Sequence, residues 1–284
     1  MTDRTADLAP SLVQEGNRTW WNATPMAYDW KGEINTEPYS ESWFAEIDAK
    51  FIHGSRLFAH DEQNFGRIIP FKELMGKRVL EIGCGMGLHT SLMAAAGADV
   101  TAVDLTPTAV QATRKRLAQK GLSARVIEAD AEHLPFADNS FDFIWSWGVI
   151  HHSSHTGRIV KEIARLLAPD GEARVMVYNR ESGWATGVLV RDHWLKGGFL
   201  KRTYEETLYK LSDGFTARFY VREQFEDLFR TFFDNVSSEL MGQDCDIVPL
   251  PPLLRKLVFP LISRRRANRA LASRGSFIFL TARR

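Results

Sequence analysis

The residues best suited to chemistry lie in Val79-Leu80-Glu81-Ile82-Gly83-Cys84-Gly85-Met86-Gly87-Leu88. An apolar, strand-like run stops at three alternating glycines and gives way to a helical pattern. Such glycines let a backbone approach a ligand closely, and the helix start offers free N–H groups to its polar end. Taken alone, the pattern also fits a tight strand-to-helix turn. The dinucleotide fingerprint wants a sixth-position glycine, but counting from Gly83 that place is Leu88, and no Gly-Lys-Ser/Thr follows. The loop therefore favours a ligand without a pyrophosphate. Asp104 ends the run Val100–Val103, where an acid can accept both hydroxyls of a ribose. Asp130 ends the run from Arg125 to Ala129, where an acid can accept from an exocyclic amine such as that of adenine. Singly, each acid is also a helix cap or turn residue. His151 and His152 follow the fourth strand-like run and carry two readings: one ring facing a pocket as a general base, or both packing and capping.

The elements that must position these residues alternate between two periods. Apolar, β-branched runs at 78–82, 100–103, 125–127, 141–147 and 173–178 are separated by helical stretches at about 88–96, 107–120 and 157–167. Pro169-Asp170-Gly171 reads as a turn. Strand and helix in this order predict an α/β, Rossmann-like doubly wound sheet. A helix is expected over 221–229, with strands over 232–240 and 276–282. Residues 1–76 read as an aromatic, loop-rich arm with lid helices, holding Trp20, Trp21, Trp30, Trp43 and Tyr28. Residues 77–284 read as the main domain, with insertions at about 179–216 and 247–275.

At this point the sequence resembles the class I S-adenosylmethionine-dependent methyltransferases, and among them the ubiquinone/menaquinone C-methyltransferase group. The resemblance rests on Glu81–Gly87, Val103-Asp104-Leu105, Asp130–Phe136, Ser140-Phe141-Asp142, Val149-Ile150-His151-His152 and Leu166–Gly171. It implies a mostly parallel seven-stranded sheet with an antiparallel last strand, an N-terminal lid and an inserted helical cap. It also implies S-adenosyl-L-methionine as cofactor. Gly83 and Gly85 would lie against its methionine part with Glu81 supporting the loop. Asp104 would hold the ribose, Leu105 would pack on the adenine, Asp130 and Ala131 would read the adenine edge, and Trp147 would border the methyl group. The implied activity is methyl transfer by in-line displacement to a small, hydrophobic or partly anionic molecule. His151 and His152 are the candidate bases where the acceptor must lose a proton. Tyr28 and Trp184 are the candidate acceptor contacts in an enclosed pocket.

Composition limits the rival readings. The 284 residues include only two cysteines, Cys84 and Cys245, too few for a disulfide framework or a structural zinc site, so no metal is expected. The polar, acid-bearing start and the lack of a long apolar run predict a cytoplasmic protein. The net charge of +1 averages two unlike parts: Ile247 to Arg284 carry nine basic residues and no acid. That segment suits a helix packed with solvated arginines, a peripheral membrane contact through 253–269, an anionic acceptor, or RNA. RNA methylation and non-catalytic cofactor binding are the alternative functions, and nucleic acid is disfavoured because Ser146-Trp147-Gly148-Val149 stands where base-amino methylation needs an Asn/Asp-Pro-Pro-aromatic run.

Overall fold

The structure is a computed structural model that describes residues 9–29 and 32–284. Trp30 lies outside the described residues. Helices α1 (Pro10–Ala23) and α2 (Glu41–Ser55) precede the sheet. The sheet holds β1 (Arg78–Ile82), β2 (Asp99–Asp104), β3 (Arg125–Glu128), β4 (Phe141–Trp147), β5 (Leu167–Tyr178), β6 (Asn235–Met241) and β7 (Phe277–Arg283). Its order is β3-β2-β1-β4-β5-β7-β6, with β7 antiparallel to both β5 and β6 and the other pairs parallel. Helices α3 (Leu88–Ala95), α4 (Pro107–Gln119) and α5 (Thr156–Leu166) make the parallel crossovers from β1, β2 and β4. Beyond β5 come α6 (Gly183–Val188), α7 (Tyr204–Lys210) and α8 (Arg222–Arg230). Between β6 and β7 lie α9 (Asp244–Ile247), α10 (Pro252–Val258) and α11 (Arg264–Arg274).

Local chemistry explains the boundaries. Thr106 accepts the Ala109 N–H and Pro107 occupies the first turn of α4, where its missing donor costs nothing. In α5, Ile159, Val160, Ile163 and Leu166 are buried, a helical stripe that packs with Phe225 and Phe229 of α8 against one sheet face. The opposite face is covered by Phe51, Phe58, Phe65, Ile68, Ile69 and Met93 over Val79, Trp145 and Phe279. Strands β1 and β4 are buried on both faces, hence apolar residues at successive as well as alternate positions, as in Val79-Leu80 and Phe143-Ile144-Trp145.

Three local expectations change. The arm is more helical than its prolines and glycines suggest: Pro25, Gly32 and Pro38 fall between α1 and α2, and Ser40 caps α2 by accepting the Trp43 N–H, which brings Trp43 and Phe44 into the core. Pro169-Asp170-Gly171 lies within β5, where pairing jumps from Phe141↔Leu167 to Phe143↔Glu172, so the chain bulges rather than turns. The basic segment divides in two. Pro260 sits in a 3₁₀ turn after α10, and Ser263 caps a new helix whose Ala267 and Leu271 pack inward, whereas α10 buries no residue.

Candidate active site

The end of β1 turns through Gly83, Gly85 and Gly87, all left-handed, at φ 80°, 51° and 76°. A Cβ on Gly83 would stand 2.2 Å from a Val149 methyl, whereas one on Gly85 would meet nothing within 4 Å. Gly85 thus leaves open backbone at the cavity wall. Asp104, at the end of β2, clamps this turn: Oδ2 accepts the Gly85 N–H at 3.1 Å, and Oδ1 accepts the Thr106 N–H and hydroxyl, both at 3.0 Å. Burial pushes the Asp104 carboxyl above its ordinary range against the pull of those bonds. Beneath the turn, Glu81 accepts the Thr90 hydroxyl, and burial raises its pKa to about 8.

A cavity of about 760 Å³ is walled by Glu81, Gly83, Gly85, Asp104, Leu105, Ala131 and Trp147 from the sheet edge. His152, Tyr28 from the arm and Trp184 from the first insertion share it. An open glycine, a carboxylate with acceptor capacity left over and apolar Leu105 and Ala131 form a lining that fits S-adenosylmethionine. Two expected residues do not reach the wall. Asp130 Oδ1 accepts Gln14 Nε2 and the Glu132 N–H, each at 2.9 Å, and Gln14 lines the cavity in its stead. His151 is fully buried, its ring centroid 4.1 Å from those of both His152 and Tyr178, and neither ring nitrogen has a partner among the described residues. Burial drives its pKa well down, leaving a neutral packing ring.

His152 stands differently. Its Nδ1 donates to the Thr216 carbonyl at 2.6 Å, which leaves Nε2 as the unprotonated nitrogen, buried and without a partner among the described residues. Burial holds its pKa below the ordinary value, opposed by the charge of Asp213 and the Thr216 bond. Helix α1 lies over it: Asn17 Nδ2 donates to the His152 carbonyl at 2.6 Å, and Trp21 meets the ring edge-on at 5.1 Å. Tyr28 stacks on Phe51 at 4.4 Å, and Trp184 on Phe219 at 5.9 Å. Burial, then Asp213 and Asp48, push the Tyr28 phenol up.

Sequence reasoning passed over several wall residues. Asp213 lines the cavity and accepts the Tyr178 hydroxyl at 2.7 Å. His89 lines it as well. Its Nδ1 accepts the Trp145 indole N–H at 3.1 Å, so the remaining proton sits on Nε2, and burial lowers the pKa to about 3. The position of His89 in the helix turn after the glycines was the available signal. Asp213, Phe51 and Phe219 come from separate segments that only the fold assembles.

A family model described as a methyltransferase domain matches residues 80–175. Methyltransferase GfsG of Streptomyces halstedii is 36% identical over 103 residues, which are 35% of this chain and 37% of that protein. The ubiquinone biosynthesis O-methyltransferase of Idiomarina loihiensis is 33% identical over 127 residues, covering 43% of this chain and 51% of the other. The chain thus spans about half or less of the length of these curated relatives. Among solved structures, Haemonchus contortus phosphoethanolamine N-methyltransferase 2, in complex with phosphomonomethylethanolamine and S-adenosylhomocysteine, has a TM-score of 0.57 at 18% identity, covering 94% of this chain and 60% of that one. At that identity the likeness is one of fold.

Proposed function

We propose, from the premise that residues 80–175 form the matched core of a class I S-adenosylmethionine-dependent methyltransferase domain, that the chain transfers a methyl group to a small hydrophobic acceptor inside the described cavity. The observation that carries this reading is the continuity of one cavity from Gly85 and Asp104 to the aromatic chamber of Tyr28, Trp147, Trp184 and Phe219. Bound S-adenosylmethionine supplies a methyl on a cationic sulfur, which leaves neutral when an aligned nucleophile displaces it in line.

The residues of the chain have the remaining work. Asp104 would accept the ribose hydroxyls, Gly83 and Gly85 would admit the amino-acid part, and Leu105 and Ala131 would flank the adenine. Asp130 would act through Gln14. Trp147, Trp184 and Tyr28 would exclude water and orient an apolar acceptor. His152 Nε2, with its tautomer fixed by Thr216, would take the proton from an acceptor hydroxyl or amine. No residue of 247–275 lines the cavity, so an acceptor held there would touch none of that segment's cations.

Calorimetric titration with S-adenosylhomocysteine tests the reading. Asp104→Ala removes a buried charge-assisted acceptor and should weaken binding tenfold to about a hundredfold. Unchanged affinity in that variant, or no binding by the parent chain, overturns it.

A further inference from the structure

Two insertions leave leucines bare on the surface. In and after α10, Leu253, Leu257 and Leu261 are 79%, 71% and 82% exposed, and Leu254 is exposed beside them. A helix that buries nothing and presents its leucines to water is held by no core of its own. In the segment after α6, Leu195 and Leu200 are 80% and 77% exposed, with Trp194 and Phe199 also open. The two insertions adjoin, since a Cβ on Gly187 near the end of α6 would lie 3.5 Å from Pro249 just ahead of α10.

The charge around the leucines selects what covers them. Lys256, Arg264, Arg265, Arg266 and Arg269 are exposed, and none makes an ion pair with a described residue. No acid occurs anywhere from Ile247 to Arg284. A second copy docked on this face by a two-fold axis would bring the same cations against themselves. A nucleic acid would satisfy the arginines and leave the leucines in water. A surface that is apolar inside and anionic at its rim, as an anionic lipid bilayer is, answers both.

We propose that the face formed by α10, the start of α11 and the segment 190–200 docks peripherally on an anionic lipid bilayer. The leucines enter the acyl boundary, and the cations of α11 meet the headgroup phosphates. No helix among the described residues is long and apolar enough to cross a membrane, so the contact is interfacial.

Vesicle co-sedimentation of the full chain tests this, with phosphatidylcholine alone and with added phosphatidylglycerol. Sedimentation with the anionic vesicles, falling as salt rises, is expected. Leu253→Ser/Leu257→Ser/Leu261→Ser should reduce it at least about tenfold, and Arg264→Gln/Arg265→Gln/Arg269→Gln about a hundredfold. Both sets lie on the surface, and an unchanged melting temperature verifies folding. Failure to sediment, equal sedimentation by the leucine variant, or a leucine-dependent dimer in ultracentrifugation without vesicle binding overturns the proposal. The readout requires no methyl transfer, so its outcome is independent of the proposed activity.

Discussion

Glu81 shows how much a single buried residue can reveal about this site. Its carboxyl has a folded pKa of about 8 against an ordinary 4.5, raised chiefly by burial. The folded state therefore holds a proton that the unfolded chain releases, and the stability this contributes is complete below about 4.5 and lost as pH rises through about 8. His89 runs the opposite way, with a folded value of about 3 against 6.5, so its contribution is already present above 6.5. Between 6.5 and 8 the slope due to Glu81 stands apart, at up to about 1 kcal/mol per pH unit. Thermal melts of the ligand-free chain should fall over that range, and Glu81→Gln, which keeps an acceptor for Thr90, should flatten the fall. Parallel declines in the two proteins would refute the assignment. The glycines and Asp104 are legible in the sequence because they stand at strand ends, whereas Glu81 enters only through the family resemblance; all four line one cavity. The sequence could not separate His151 from His152, because which ring meets the cavity depends on the Thr216 carbonyl, 64 residues away.

At the scale of elements, periodic segments were readable and contact-held segments were not. Helix α5 and strands β1 and β4 follow from spacing alone, since burial against the sheet dictates their apolar positions. Helix α1 is different: it buries only Val13 and Asn17, and beside the Trp21–His152 ring contact its long-range side-chain anchors are polar, from Gln14 to Asp130, Asn17 to the His152 carbonyl and Arg18 to Glu128. Those partners lie more than a hundred residues away, so local pattern suggests lid helices in a loop-rich arm but not where α1 docks. A helix held this way opens more easily than a core element, which suits a lid over the cavity. Asn17→Ala removes the buried bond to His152 and should cost about 1 kcal/mol of lid closure. Hydrogen exchange over Pro10–Ala23 should then quicken roughly fivefold while exchange in β1 stays unchanged. Exchange in α1 as slow as in β1 before and after the substitution would rule out a lid.

Over the whole molecule, the net charge of +1 conceals a body with 27 basic and 35 acidic residues joined to a segment with nine bases and no acid. Seven of those nine bases, from Arg255 to Arg274, lie between β6 and β7, which pair over seven residues, so the stretch that carries them is fastened to the sheet at both ends. The fastening passes through Asp246, which is fully buried. Its Oδ1 accepts the Trp184 N–H at 3.0 Å and the Ser276 hydroxyl at 2.5 Å, and its Oδ2 accepts the Gln243 N–H at 2.9 Å and the Ser276 N–H at 3.1 Å. One carboxylate thereby ties the first insertion, α9 and the start of β7 together, close enough that a Cβ on Gly183 would stand 2.3 Å from the Asp246 carbonyl oxygen. It links the wall that carries Trp184 to the face that carries the bare leucines. Asp246→Ala would leave three backbone donors unpaired in a buried junction and should lower unfolding free energy by about 3 kcal/mol in denaturant melts. S-adenosylhomocysteine affinity should stay near the parent value, because Asp104 and the glycine turn lie on β1 and β2 and share no bond with this junction. A variant as stable as the parent would mean that the two insertions are held independently of Asp246, and that the cavity wall and the exposed face do not move as one.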